Sequence, residues 1–303
     1  TIHASVDFID IAGLVRGASR GEGLGNQFLA TIRECAAIVE VVRCFEDANI
    51  THVDGTVDPL RDIETIETEL LLADIQSVEK RQERLLKMAK GSKEAKAAAE
   101  IMGQLLASLN GGTPASAFPL PENDAFLQSW RELGLLTAKP VIYCANVDED
   151  AVSDGNALSR RVEEHAAGRN AGFARICARL EEELQGLSDG EQAEMLASYG
   201  IGESGLARII RTGYETLGLC SYFTAGPDEV RAWTIRKGWK APQAAGVIHT
   251  DFERGFIRAE VVAYDAYMSH ENEAACRASG VLRVEGKDYA VQDGDVIHFL
   301  FNV

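Results

Sequence analysis

Asp10-Ile11-Ala12-Gly13 brings together two groups that phosphate chemistry uses. A carboxylate can hold a magnesium ion through water, and a glycine lets a backbone N–H approach a terminal phosphate. The same spacing also makes an ordinary turn, so the four residues alone leave both readings open. Apolar residues before them predict a strand over 6–10, and Gly13, Gly17, Gly21, Gly23 and Gly25 predict a permissive loop over 13–25. Such a loop can order around a phosphate and relax after its release, or it is a plain connecting loop. A second candidate is Asn146-Val147-Asp148-Glu149, a polar turn after an apolar strand over 141–145.

The elements that must position these residues alternate. A helix over 26–37 and a strand over 38–44 follow the glycine loop, and further apolar runs over 140–145 and 173–177 resume the pattern. Short runs rich in Val and Ile, separated by helices, predict a mainly parallel sheet covered on both faces. Between the halves, residues 59–110 carry Ile63, Ile66, Leu70, Ile75, Val78, Leu85 and Met88 at helical spacing. Gly91-Ser92 interrupts them and an alanine-rich stretch follows over 93–109, so an inserted antiparallel helical hairpin is expected. A turn-rich return over 111–121 leads to a helix over 123–136. After Gly218 the pattern becomes short strands over 232–235, 256–264, 289–291 and 296–303, the last with Ile297, Phe299, Phe301 and Val303 on one face.

Composition narrows the classes. The 303 residues are 46% hydrophobic, enough for more than one core. No apolar run reaches the roughly 18 residues that span a bilayer, and no signal-peptide pattern opens the chain, so no membrane partner is expected. Six scattered cysteines without zinc-type spacing fit free thiols and a cytoplasmic location. The net charge of −17 argues against broad attraction to nucleic acid. Arg231, Arg236, Lys237 and Lys240 beside Trp233 and Trp239 could still form a local basic and aromatic patch, or a solvated strand whose tryptophans anchor the core.

The chain resembles the YchF family, the Obg-like ATPases of the translation-factor GTPase class. The resemblance rests on DIAGLVRGASRGEGLGNQFL (10–29), VVRCFEDANITHV (41–53), ANVDED (145–150), YFTAG and EVRAWTI (222–235) and APQAAGVIHTDFERGFIRAEV (241–261). It implies a P-loop NTPase-type α/β fold with an inserted helical coiled-coil arm and a C-terminal TGS domain, a ubiquitin-like β-grasp module. The implied domains are a nucleotide-binding Obg-type G domain over 1–60 and 121–219, the arm over 61–120, and the TGS domain over 220–303. The family places a phosphate-cradling G-x-x-x-x-G-K-[ST] loop ahead of the D-x-x-G strand, and no such sequence occurs here. The resemblance therefore reads the chain as a member lacking that first segment and inactive as it stands.

What the resemblance implies for the site is specific. Asp10 supports magnesium through water, with direct metal ligands expected in the absent segment, and Gly13 senses the terminal phosphate. Leu14 stands where many GTPases carry a water-orienting glutamine, and His52 is implied to place the water instead. Asn146, Val147 and Glu149 occupy the place of N-K-x-D, where glutamate for aspartate and valine for lysine should lose guanine specificity in favour of ATP. Cys177 and Ala178 match the second base-side loop. The implied activity is ATP hydrolysis with Mg2+, with the ribosome (large subunit) or RNA as partner through the TGS domain and arm. The alternatives are a non-catalytic ribosome- or RNA-binding adaptor and an Obg-type GTPase.

Overall fold

The computed structural model describes residues 1–11, 24–47, 49–50, 55–226, 229–270 and 272–302, the side chains of 24–27 excepted. Two compact units result, Ile9–Gly213 and Thr1–Phe8 with Tyr214–Val303.

In the first unit the β-rich apolar runs become β1 (Ile38–Arg43), β2 (Val141–Asn146) and β3 (Gly172–Ile176), a parallel sheet in that order among the described residues. Helix α1 (Leu24–Glu34) precedes β1, and α5 (Ala157–Gly168) carries the chain from β2 to β3. Parallel neighbours need a long crossover. Two helices follow β3, α6 (Ala178–Leu184) and α7 (Asp189–Ser198), then α8 (Gly205–Thr216). Val42, Tyr143, Ala145, Val147, Val162, Ala166 and Leu180 form one core cluster, and Cys144, Ala174 and Ile209 form another.

The crossover from β1 to β2 holds the expected hairpin, α2 (Pro59–Met88) and α3 (Lys93–Asn110). Proline starts α2 at the position where a missing N–H costs nothing. The Ser92 side chain caps α3 by accepting from the Ala95 N–H at 3.2 Å. Val78 and Leu85 of α2 pack with Ala98, Ala99, Met102 and Leu105 of α3. The small alanines let the helices approach, and at Gly103 a Cβ would come 2.6 Å from the Gln82 side-chain nitrogen. Helix α4 (Asp124–Leu133) closes the root of the arm, capped by Asn123 at 2.9 Å from the Phe126 nitrogen and ended by Gly134 with φ 54°.

A buried carboxylate locks this root. Asp74 of α2 is 0% exposed and accepts from the Leu136 and Thr137 backbone nitrogens at 2.9 and 2.8 Å and from the Thr137 hydroxyl at 2.7 Å. Burial pushes its pKa up against those three hydrogen bonds and the nearby Arg33, which favour the charged form.

In the second unit β4 (Leu219–Ala225), β5 (Val230–Arg236), β6 (Phe256–Ala263), β7 (Arg283–Glu285) and β8 (Asp295–Phe301) form a mixed sheet ordered β5-β4-β8-β6-β7. Helix α9 (Ala241–Ile248) supplies Ala241, Ala244 and Ala245 to the core beside Tyr222, Phe256, Val261, Ile297 and Phe299. Three short helices, α10 (Thr250–Arg254), α11 (Tyr264–Met268) and α12 (Glu273–Ala278), complete this β-grasp arrangement.

Three sequence expectations change. Residues 6–10 form no strand, and Phe8 and Ile9 are 49% and 55% exposed. Apolar residues make a strand only where a ladder partner stands beside them, and the hydrogen bonds of this segment are made at Ile2 instead, with Val230 and Ala232 of β5. Residues 289–291 give a single bridge, Lys240 to Ala290, rather than a strand. Phe301 is 36% exposed, so the apolar face of β8 ends before it, and Val303 lies outside the described residues.

Candidate functional site at the sheet ends

The C-terminal ends of parallel strands are where open α/β sheets bind ligands, and three loops are tied together there. Asn146 ends β2 and faces Arg43 of β1 and Ile176 of β3 in register. Its Oδ1 accepts from the Ala178 N–H at 3.0 Å, while the Val147 N–H donates to the Ile176 carbonyl at 2.8 Å. The loop after β1 is joined by two bonds. The Cys44 N–H donates to the Asn146 carbonyl at 2.8 Å, and the Asn156 Nδ2 donates to the Cys44 carbonyl at 2.6 Å. Asn156 also caps α5 reciprocally with Ser159.

These contacts bring together Asn146, Val147, Glu149, Cys177 and Ala178, but give them different parts. Val147 is 2% exposed and packs in the core, and its N–H is spent on the Ile176 carbonyl. Cys177 is also 2% exposed, and burial raises its thiol pKa, which leaves it a backbone position ahead of α6. Asn146 keeps its Nδ2 donor without a partner among the described residues. Glu149 opens the short turn Glu149–Ala151, which Asp148 caps at 3.1 Å from the Ala151 nitrogen.

Arg179 was missed by sequence reasoning. Its Nε lies 3.0 Å from Glu149 Oε1, an ion pair whose angle is not that of a directed hydrogen bond. It also lies 3.5 Å from Glu183, four residues on. The Glu183 spacing was legible, whereas the pairing with a carboxylate thirty positions earlier required the fold. Asn156 was missed as well, because its cap spacing with Ser159 signals a helix start and says nothing of Cys44.

Asp10 is exposed, and the adjoining Ile11 packs against Leu29, Ile32 and Leu70 where α1 meets α2. Gly13, Leu14, Gly17, Gly21, Gly23 and His52 lie outside the described residues, as do the side-chain surroundings of Gly25. Among the described residues no group of three or more His, Cys, Asp or Glu side chains could hold a metal ion. In the second unit the basic and aromatic residues are largely built into the fold. Trp233 and Trp239 pack against the core, Arg231 sits 4.0 Å over the Trp233 ring, and Lys240 pairs with Asp288 at 2.6 Å.

A parallel sheet with loops tied together at its strand ends, a helical insertion in one crossover and a C-terminal β-rich unit define a P-loop NTPase-type architecture with a C-terminal module. A family model named YchF-GTPase_C, described as a protein of unknown function (DUF933), matches residues 219–302. The "Ribosome-binding ATPase YchF" of Bacillus subtilis (strain 168) is 51% identical over 306 residues, covering 100% of this chain and 83% of that protein. The "Obg-like ATPase 1" of Gallus gallus is 43% identical over 306 residues, covering 99% and 77%. The solved "Structure of the Schizosaccharomyces pombe YchF GTPase" superposes with a TM-score of 0.78 at 40% identity, over 95% of this chain and 78% of that one. The chain belongs to the YchF family. No helix among the described residues is long and apolar enough to cross a membrane.

Proposed function

We propose that the chain carries the base-reading and partner-binding parts of a cytoplasmic, ribosome-associated ATP hydrolase. One observation carries the reading: the Asn146–Ala178 hydrogen bond that joins the two base-side loops beside Glu149. Asn146 Nδ2 is a donor suited to the purine N7 acceptor, which adenine and guanine share. The discrimination falls to Glu149. Adenine presents an amino donor at C6 where guanine presents a carbonyl, and a carboxylate rewards the donor and repels the acceptor. Arg179 stands 3.0 Å from that carboxylate and would help to position it.

Phosphate chemistry is assigned to Asp10, Gly13 and His52. Asp10 offers one exposed hard oxygen donor, which fits magnesium held mainly by nucleotide phosphates and water rather than by a protein cage. Bound magnesium would neutralise charge developing on the phosphates. Asp10 would orient the ion's water, Gly13 would donate its N–H to the terminal phosphate, and His52 would accept a hydrogen bond from the attacking water. The lysine loop that cradles phosphates does not occur in these 303 residues, so hydrolysis is expected only when such a loop precedes Asp10.

Names borne by the relatives support the ribosome as partner, and the C-terminal TGS unit and the arm are the proposed contacts, with the large subunit as the proposed surface. The test uses a polypeptide with the phosphate loop joined ahead of Asp10. His52→Ala should lower ATP turnover by about a hundredfold or more, with nucleotide affinity kept. Unchanged turnover would remove His52 from the mechanism.

A further inference from the structure

The loop after β1 is held by one side chain rather than by packing. Glu46, Asp47, Asn49 and Ile50 are exposed, Ile50 by 49%, so apolar burial does not fix them. Arg43, the last residue of β1, does so through its guanidinium. Its Nε donates to the Phe45 carbonyl at 3.1 Å, one terminal nitrogen donates to the Ile50 carbonyl at 3.0 Å, and the other donates to the Asp47 carbonyl at 3.4 Å. The centre of the Phe45 ring lies 4.7 Å from the same cation. Glu46 and Asp47 stand close by in sequence, yet Arg43 takes part in no ion pair among the described residues and spends its donors on backbone.

A guanidinium presents its N–H donors in a rigid planar fork. Three carbonyls spread from Phe45 to Ile50 can meet it only if the chain between them curves around it, so the fork sets the path of the backbone. Asp47 closes the same turn. Its carboxylate accepts from the Asn49 N–H at 2.8 Å, and its carbonyl accepts from the Ile50 N–H at 3.2 Å. The start of the loop is equally fixed: Arg43 stands opposite Asn146 in the β1–β2 register, and Cys44 is bound at its N–H by Asn146 and at its carbonyl by Asn156. Ordering exposed residues costs conformational entropy, and no core is gained in return. Such order at the C-terminal end of a parallel strand marks a segment kept in shape for what it carries.

We propose that Arg43 is a positioning residue for ATP hydrolysis: by holding the carbonyls of Phe45, Asp47 and Ile50 it fixes the loop that leads, two positions after Ile50, to His52. The proposal rests on the reading of His52 as the residue that places the attacking water, and adds the residue that sets where His52 is delivered. Arg43 acts through the loop and not on the substrate. Because Cys44 shares its bonds with Asn146, the same arginine joins the hydrolytic loop to the base-side corner. Lysine would not replace it, since a single ammonium on a flexible stem lacks the planar fork.

Turnover is measured on the polypeptide with the phosphate loop joined ahead of Asp10, as wild type, Arg43→Gln, Arg43→Lys, His52→Ala and the Arg43→Gln, His52→Ala double variant. Arg43→Gln should lower kcat by about tenfold to a hundredfold, the cost of a misplaced group, while the Kd for ATP stays within about twofold. Arg43→Lys should remain at least about fivefold slow. The double variant should be no slower than His52→Ala alone, since both changes remove the same contribution. A second measurement is independent of activity. NMR hydrogen exchange on the 303-residue chain should show the Asn49 and Ile50 amides exchanging at least about tenfold faster in Arg43→Gln, with the amides of β1, β2 and β3 unchanged. Wild-type kcat in Arg43→Gln beside a slow His52→Ala would overturn this proposal alone. So would multiplied losses in the double variant, or unchanged exchange at Asn49 and Ile50. Wild-type turnover in His52→Ala would remove the water-placing reading and this proposal with it. If Arg43→Gln does not fold, Arg43→Lys carries both measurements, and its full turnover would overturn the proposal.

Discussion

The two ends of helix α2 are made of similar residues and have opposite electrostatic fates. At its root every prominent charge is answered. Asp74 accepts three hydrogen bonds, Glu67 receives the Tyr143 hydroxyl at 2.5 Å and the Arg169 guanidinium at 2.7 Å, and His165 stands edge-on to the Tyr143 ring at 5.1 Å. Towards its tip Lys80, Arg84 and Lys87 stand in solvent in no ion pair among the described residues. A desolvated charge must be satisfied within the fold, whereas an exposed one costs little and stays available to a partner. The root fixes the arm to the sheet that bears Asn146, and the charges of the tip stay in solvent.

The largest effect should come from the root. Asp74→Ala removes an acceptor shared by three donors, two of them backbone N–H groups. It is expected to cost about 3 kcal/mol in urea unfolding. A cost below about 1 kcal/mol would mean that the root is not the anchor.

A smaller effect concerns pH. Burial, then the neighbouring Glu67 carboxylate and Asp62, push Glu40 of β1 up to about 8, and Arg169 opposes them. Tyr143, its partner in the β1–β2 register, and His165 complete the set packed at this face. Between the ordinary carboxylate range and about pH 8, the folded chain holds a proton at Glu40 that the unfolded chain has released. Stability from this group is therefore greatest at the acid side of that window, falls as pH rises through it, and levels off above about 8. Urea midpoints measured from pH 5 to 8 should fall more for wild type than for Glu40→Gln; parallel profiles would show that the carboxylate is ionised in the fold.

The smallest effect should be at the tip. Arg84→Gln with Lys87→Gln is expected to leave stability within about 0.5 kcal/mol, or to raise it slightly as repulsion is relieved. A loss above 1 kcal/mol, measured in the same unfolding assay, would show that these cations serve the fold.

Much of this was legible in the sequence for physical reasons. Helical spacing from Ile63 to Met88 and the Gly91-Ser92 break gave the arm, and valine- and isoleucine-rich runs gave β1 to β3. The turn after β2 pointed to Asn146 and Glu149. What could not be read were contacts whose partners lie far apart in the chain: Asp74 with Thr137, Asn156 with Cys44, Arg179 with Glu149. Local propensity also misplaced a strand at 6–10, where apolar residues were present and a ladder partner among the described residues was not. Val147 illustrates a subtler limit. Its place in the motif suggested contact with the base, yet an apolar side chain beside a sheet core is drawn inward, and the whole residue is buried.

The central claim is that the corner formed by Asn146, Ala178 and Glu149 reads adenine. Equilibrium competition between ATP and GTP for a labelled nucleotide, on a polypeptide with the phosphate loop ahead of Asp10, tests it most directly. ATP should compete at least tenfold more strongly than GTP, and Glu149→Asp should narrow that gap. Equal competition, or a preference for GTP that Glu149→Asp leaves unchanged, would contradict it.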